Sequence, residues 1–474
     1  MKLKWEKLLN ENKSKESKDK KDDIIFYFED DYSKIIFTPP FRRLQDKAQV
    51  FPLEVNDFVR TRLTHSLEVS SIAKLIGLRV KDFIKSQDNN ELSYESIPTI
   101  LASAGLMHDL GNTPFGHAGE RAIQNTFKKF FEKNKNIISE DKQNDFINFD
   151  GNPQTFRIVS FLESIKDTHG LNLTYSTLAT SMKYPVNSCT GNKKTNKSDQ
   201  DIRYKKFGYF KSEEEFAKKV LTETGLLDSN NNIYRHPLAF LLEAADDIAY
   251  SIGDIEDGVK KGIFTITDIL NEIKDDIGKD RLEKINKSIK ESYIEENAII
   301  YLRVNIQEKM IEDVVQEFMK HYNDIMNGNY KYELLLESES KNLREKLKNI
   351  LDKLILSDHR IIQTEISGGK ALTFLTTLFL NEFSKEEFAK CVFIKLKYSE
   401  NKIDIQNNSY KLISKSYKKL YETKLKDIMD NKGFSDFKEE IYYYSFLLIT
   451  DYISGMTDSY CINLYRKLNS IDIY

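Results

Sequence analysis

All eight prolines of the chain (Pro39, Pro40, Pro52, Pro98, Pro114, Pro153, Pro185, Pro237) fall in its first 237 residues, and the second half has none. With 19 glycines in 474 residues, chain-breaking residues are about half as frequent as in an average soluble protein. Sheet-rich folds turn at every hairpin, and those turns draw on Gly, Asn or Pro. A chain this poor in breakers, 31% charged and 40% hydrophobic, is expected to be mainly α-helical, with uninterrupted helices in its Pro-free half.

The length suffices for a large core without disulfide staples. The 71 basic and 74 acidic residues leave a net charge of −3, which gives no global drive towards nucleic acid or an anionic membrane. Three cysteines, Cys189, Cys391 and Cys461, stand far apart with no Cys-x-x-Cys. They fit a reducing compartment better than a disulfide framework. The start, Met1-Lys2-Leu3-Lys4-Trp5-Glu6-Lys7, lacks the apolar run of a signal peptide, and no window approaches the roughly 18 apolar residues of a membrane span. A cytoplasmic protein with no membrane partner is expected.

Residues Asn10 to Asp23 are almost wholly Lys, Glu, Ser, Asn and Asp, so residues 1–29 read as a mobile polar arm. Asn187 to Asp201 reads as an exposed loop. Between these, apolar residues at helical spacing predict four helices. The first follows Thr64 as N-cap and carries Leu67, Ile72, Leu75, Ile76, Val80 and Phe83. The second carries Ile97, Ile100, Leu101 and Ala104 and stops at Gly111. The third starts near Gly116 and runs through Ala122, Ile123, Phe127, Phe130 and Phe131. The fourth opens on Pro237, a good first-turn residue, and continues through Leu241, Leu242, Ala245, Ile248, Ala249 and Ile252. The pattern persists beyond it, as in Ile311, Val314, Val315, Phe318 and Met319.

Three of the seven histidines, His65, His108 and His117, lie within 53 positions. His108-Asp109 closes an apolar helix. An inward His-Asp pair is costly unless both members are paired or ligate something; imidazole and carboxylate from different helix ends can enclose one divalent ion. In the fourth helix Asp246, Tyr250 and Asp254 are spaced i, i+4, i+8 and form a row of roughly 12 Å along one face. Ala, Ile and Gly around these carboxylates speak against a solvated acidic face. His117 and Glu120, at i, i+3 on a helix start, make a carboxylate-oriented imidazole suited to proton transfer. Upstream, Arg42, Arg43, Lys47, Arg60 and Arg62 form a basic cluster suited to phosphate. Gly368-Gly369-Lys370 is no phosphate loop, because Thr364 and Ala371 break that pattern.

Five blocks then stand in order: Phe41-Arg-Arg-Leu-Gln-Asp-Lys-Ala-Gln-Val-Phe-Pro-Leu53, Arg60-Thr-Arg-Leu-Thr-His-Ser-Leu-Glu-Val69, His108-Asp-Leu-Gly-Asn-Thr-Pro-Phe-Gly-His-Ala-Gly-Glu120, Glu243-Ala-Ala-Asp-Asp-Ile-Ala-Tyr250 and Gly455-Met-Thr-Asp458. Together they resemble the HD-superfamily deoxyguanosine triphosphate triphosphohydrolases over nearly the whole chain. The resemblance implies an all-helical HD phosphohydrolase core that converts a deoxynucleoside triphosphate, dGTP preferred, to deoxynucleoside and inorganic triphosphate. It implies His65, His108, Asp109 and Asp246 as ligands of one divalent cation per subunit. His117 would be the catalytic histidine, as acid or as base, with Glu120 orienting it. Arg62 and Lys183 would hold phosphates, Tyr250 and Asp254 would lie along the sugar, Gln49 would meet the 3′-hydroxyl, and Val50 would sit where a 2′-hydroxyl would go. Asn112 stands where some relatives place a second active-site histidine. A donor set of two His and two Asp suits Mn or Mg, with Fe, Co, Ni or Zn as further candidates.

The implied organisation is an arm over 1–29, an HD core over 30–265 and a helical region over 266–474 that completes the body and carries a homo-oligomer interface, a hexamer in this length class. The alternatives are another HD phosphohydrolase, such as a nucleotidase or a cyclic-dinucleotide phosphodiesterase, and a helical binding protein for single-stranded nucleic acid, single-stranded DNA among its candidate partners, whose metal site is not catalytic. The 12% aromatic content permits base stacking, although the near-neutral charge gives such a binder little push.

Overall fold

The computed structural model describes residues 2–15, 24–54, 56–88, 92–164, 169–192, 201–292, 295–355, 358–398, 405–430 and 432–471. Among them there is no β-strand, only four isolated bridges; the rest is helix, turn and loop. No described helix is long and apolar enough to cross a membrane.

The centre of the body is the helix Ile97–Met107, in which every residue is buried. It carries no charged side chain, so it can be surrounded on all sides. Helices Ile25–Ile36, Arg62–Gln87, Tyr175–Ser181 and Pro237–Lys260 pack around it. The contact with Arg62–Gln87 is close because Gly105 lies on the Ser70 backbone: a Cβ added there would stand 2.8 Å from Ser70 Cα. That approach brings the first turn of one helix beside the last turn of the other.

Helix boundaries follow hydrogen bonding more than the apolar pattern. The helix Arg62–Gln87 is capped by Thr61, not by the expected Thr64; the two threonines form a reciprocal capping box. The central helix ends at Met107 rather than at Gly111. The neighbouring helix Gly151–Arg157 takes over there, as Thr155 Oγ1 accepts from Gly111 N at 2.9 Å and donates to the His108 carbonyl at 3.3 Å. The helices Gly116–Lys133 and Pro237–Lys260 begin where Gly116 and Pro237 place them.

The mobile arm expected over 1–29 is corrected by the packing of its described residues. Leu3, Trp5 and Leu8 are buried, Trp5 Nε1 donates to the Tyr322 hydroxyl at 2.7 Å, and Lys13 pairs with Asp30 and Asp31 at 2.9 and 3.2 Å. A few apolar side chains, each contributing about 1.5–3 kcal/mol when fully buried, outweigh a polar composition. Residues 16–23, and residues 193–200 of the expected loop, lie outside the described residues.

Two hydrophobic cores hold the molecule together. One runs from Leu3 to Ile361. The other joins Phe115–Phe149 to side chains between Ala371 and Cys461, with Phe127, Phe131 and Phe146 ringed around Phe446. Neither core stops at the boundary expected at residue 265, although that position falls between the helices Pro237–Lys260 and Ile266–Ile273. Gly368-Gly369-Lys370 sits in the middle of the helix His359–Phe383, where no phosphate loop can form.

Candidate functional site

Of the twelve residues to which the resemblance gives a site role, eleven line one cavity of about 500 Å³; Asp254 does not. Its walls are the start of Arg62–Gln87, the turn after Ile97–Met107, the start of Gly116–Lys133 and the middle of Pro237–Lys260.

Donor atoms of His65, His108 and Asp109 lie within 4.8 Å of one another. Asp246 Oδ1 stands 3.2 Å from His65 Nε2 and 3.4 Å from His108 Nε2. His108 Nδ1 is 2.7 Å from the Gly105 carbonyl, to which it can only donate. Its Nε2 is left buried and without a hydrogen-bond partner. A lone pair aimed between two carboxylates is unfavourable unless a cation, either a proton on Nε2 or a divalent metal, sits among them. Burial opposes the charged ring, Asp109 and Asp246 favour it and prevail, and with Nε2 deprotonated the donor set fits a divalent metal.

Charge balance keeps the carboxylates ionised. Burial opposes the charge on Asp109, but His108 and Arg62 hold its carboxyl below the usual range; Arg62 Nη1 donates to Asp109 Oδ2 at 2.6 Å. Burial likewise opposes Asp246, and Lys183 and His108 hold it well below the usual range. Arg62 and Lys183 also line the cavity, so each faces both a carboxylate of the His–Asp cluster and the open space. Asn112 Nδ2 donates to Asp109 Oδ1 at 2.5 Å, an orienting contact.

His117 lines the same cavity. Its side chain is 77% exposed, and its Nδ1 lies 2.8 Å from Glu120 Oε2. Glu120 is buried, with Oε1 accepting from Gly151 N at 2.9 Å. The carboxylate is therefore anchored on the backbone and fixes the imidazole, leaving Nε2 towards solvent. Ahead of His117 the chain takes two left-handed residues, Phe115 (φ 59°) and Gly116 (φ 52°). A side chain on Gly116 would meet Arg62 Nη2 at 2.8 Å, so glycine here meets both the φ requirement and the approach of the guanidinium. Gln49 Oε1 is buried with no partner among the described residues, and Val50 lines the cavity beside it.

Two expectations change. Asp254 is buried, with Oδ2 unpartnered, and burial together with Asp257 pushes its carboxyl well above the usual range. On a helix of 3.6 residues per turn, each four-residue step drifts by about 40°, so Asp254 is turned about 80° from Asp246 while Tyr250 still reaches the cavity. Of the basic cluster, only Arg62 lines the cavity. Arg60 is taken up by Glu68, Glu256 and Asp257, Arg43 by the Gly455 carbonyl, and Lys47 by the carbonyls of Asn112 and Ser454.

Sequence reasoning missed Lys206, which lines the cavity paired with Asp150, and also Asp247, Asn152 and Tyr184. Lysine is too common in this chain to stand out. Asp247 had a signal in its position next to Asp246. Burial pushes its carboxyl up to about 7, only partly offset by Arg344.

A helical body with His and Asp donors gathered from two helix ends and the middle of a third defines an HD-type hydrolase, and residues 62–149 match the HD domain family. Over its full length the chain is similar to the deoxyguanosinetriphosphate triphosphohydrolase-like protein of Listeria monocytogenes serovar 1/2a, at 38% identity across 99% of this chain and 100% of the relative. It is also similar to the like-named protein of Synechocystis sp., at 32% identity across 94% and 93%. With the deoxyguanosinetriphosphate triphosphohydrolase of Klebsiella pneumoniae it shares 30% identity across 95% of each chain. The chain belongs to the deoxyguanosinetriphosphate triphosphohydrolase family.

Proposed function

We propose that the protein hydrolyses deoxynucleoside triphosphates, dGTP in preference, to deoxynucleoside and inorganic triphosphate in a reaction that requires a divalent cation. The observation that carries this reading is the unpartnered Nε2 of His108, gathered with His65, Asp109 and Asp246 in a cavity that also holds Arg62, Lys183 and the exposed His117. Full-length similarity to proteins named for dGTP hydrolysis supports it.

His65, His108, Asp109 and Asp246 would hold the cation, Mn or Mg first among the candidates. Such an ion polarises a phosphoryl oxygen and lowers the pKa of a water. Arg62 and Lys183 bind the phosphate chain and offset charge that builds on the phosphoryl oxygens. Water attacks the α-phosphorus, and the bond from that phosphorus to the 5′-oxygen breaks. His117, held by Glu120, transfers the proton through Nε2, either from the attacking water or to the departing 5′-oxygen. Tyr250 flanks the sugar, Gln49 takes the 3′-hydroxyl, and Val50 closes the space a 2′-hydroxyl would need. In this reading residues 30–265 form the HD core, and 266–474 complete the body and carry the interface of a homo-oligomer, a hexamer.

The test is to incubate the purified protein with each of the four dNTPs, singly and mixed, with Mn²⁺, with Mg²⁺ and with a chelator, and to separate the products. Intact triphosphate, released fastest from dGTP and not at all with chelator, is the expected result. Release of diphosphate or orthophosphate, or turnover indifferent to the chelator, contradicts the proposal.

A further inference from the structure

Gly455-Met-Thr-Asp458 lies about 200 positions beyond Tyr250, the last residue along the chain given a role above. The fold brings it under the cavity. Asp458 is 1% exposed, and its carboxylate accepts two backbone N–H groups from two separate segments: Oδ2 from Ala48 and Oδ1 from Phe115, each at 2.9 Å. Ala48 immediately precedes Gln49 and Val50. Phe115 precedes Gly116 and His117.

Neither segment sets its own conformation. Phe115 holds a left-handed φ of 59°, which a residue bearing a side chain adopts at a cost and keeps only when its surroundings impose it. The imposition is visible. The Phe115 ring sits against Gly368, where a Cβ would stand 2.3 Å from Phe115 Cγ, Thr113 Oγ1 donates to the Gly116 carbonyl at 2.9 Å, and Asp458 takes the Phe115 N–H. Residues 47–54 contain no helix; the Ala48–Thr61 bridge, the Lys47 carbonyl accepting from Arg62 N at 2.9 Å, the buried Phe51 and the Glu54–Lys261 pair hold them to the body, and Asp458 adds the tie to the turn before His117. One carboxylate that accepts from both segments fixes the spacing between the lip carrying Gln49 and the turn carrying His117. The same corner reinforces it, since Lys47 Nζ donates to the Asn112 carbonyl at 2.6 Å and to the Ser454 carbonyl at 2.7 Å.

We propose that Asp458 is a positioning residue for the triphosphohydrolase site, setting where His117 and Gln49 stand relative to each other; this rests on the function proposed above. Asp458 touches neither the substrate space nor the proposed metal donors. Its effect passes through the two backbone amides.

Asp458→Asn tests this, because the amide keeps one acceptor oxygen and replaces the other with a group that cannot accept from N–H. The expected result is a fall in kcat for dGTP of about 10- to 100-fold, larger than any rise in KM, with wild-type metal content. Hydrogen exchange should quicken together in peptides covering 46–50 and 112–118, with the helices Ile97–Met107 and Pro237–Lys260 unchanged. Asp458→Glu, which keeps the charge but displaces the carboxylate by a methylene, should give the same localised pattern and serves if the Asn variant does not fold. Ser459→Ala removes a neighbouring bond of the same corner, Oγ to Asp46 Oδ1 at 2.9 Å, and should retain wild-type kcat and exchange. A folded Asp458→Asn with wild-type kcat and exchange overturns the proposal, as does a loss of kcat that only matches a loss of folded or metal-loaded protein. If the wild-type protein releases no triphosphate from any dNTP, the functional reading fails, yet the exchange data still decide. Faster exchange confined to the two segments supports the positioning role, and uniform or absent change refutes it.

Discussion

Three imidazoles of the site face carboxylates, and for His108 and His117 burial separates their work. His108 is buried, with Nδ1 committed to a carbonyl and Nε2 left open towards Asp109 and Asp246. His117 is largely exposed, with only Nδ1 committed, to Glu120. His117→Ala should therefore lower kcat by about 10²- to 10⁴-fold and leave the bound metal intact, while His108→Ala should lose the metal; metal analysis beside steady-state kinetics reads both. A histidine outside the cavity has a structural role with its own pH signature. His236 caps the helix Pro237–Lys260: its Nδ1 accepts from Leu238 N at 3.1 Å and its Nε2 donates to the Leu8 carbonyl at 3.1 Å, which makes it a buried neutral ring. Burial pushes it down to about 4, below an unfolded value of about 6.5. The depressed folded-state pKa means that its contribution is present above about pH 6.5 and is lost as pH falls through about 4. The loss amounts to roughly 3 kcal/mol. Thermal melts from pH 7 to pH 4 should show that decline in the wild type and a flatter profile in His236→Gln.

At the scale of elements, the site depends on where helices end. The ends of Arg62–Gln87 and Ile97–Met107 meet because Gly105 lies on the Ser70 backbone, with the His65 and His108 ring centroids 5.4 Å apart. Gly105→Ala forces a backbone to move, and an overpacked core contact of this kind costs about 1–3 kcal/mol. The variant should melt lower and bind Mn²⁺ more weakly than wild type, as read by calorimetry; unchanged metal affinity would mean that this contact does not set the donor spacing. Much of this was legible in the sequence. Pro237 and Gly116 mark helix starts by local backbone preference, and His65, His108-Asp109 and His117 stand out because histidine is scarce here. What stayed hidden depends on tertiary hydrogen bonds or on helical phase. Thr61 rather than Thr64 caps because each threonine hydroxyl accepts from the other's backbone N–H. Asp254 turns away through the drift of a 3.6-residue period. Lys206 is one of many lysines until the fold places it beside Asp150. Asp458 was readable as a motif, but its two amide partners lie more than 300 positions away.

For the whole molecule, the Pro-free half is no separate appendage. Its helices His359–Phe383 and Phe434–Ser454 close the second core against Gly116–Lys133, the helix that carries His117. A buried polar tie joins the halves: Arg157 Nε and Nη2 donate to Asp451 Oδ1 and Oδ2 at 2.8 Å each, and Nη1 donates to Glu213 at 2.5 Å. Removing one partner of a buried pair leaves a desolvated charge and costs about 3–5 kcal/mol. Asp451→Ala should therefore lower the denaturation midpoint of the whole chain in one cooperative transition, with the 62–149 region unfolding together with 434–454. Two separated transitions would show that the halves fold independently. The chemistry assigned to this body predicts where the oxygen of the attacking water goes. With dGTP hydrolysed in oxygen-18 water, mass spectrometry should find one heavy oxygen per released triphosphate, on a terminal phosphorus, and none in deoxyguanosine. Label in the nucleoside, or label in orthophosphate or diphosphate with no triphosphate formed, would contradict attack at the α-phosphorus by this site.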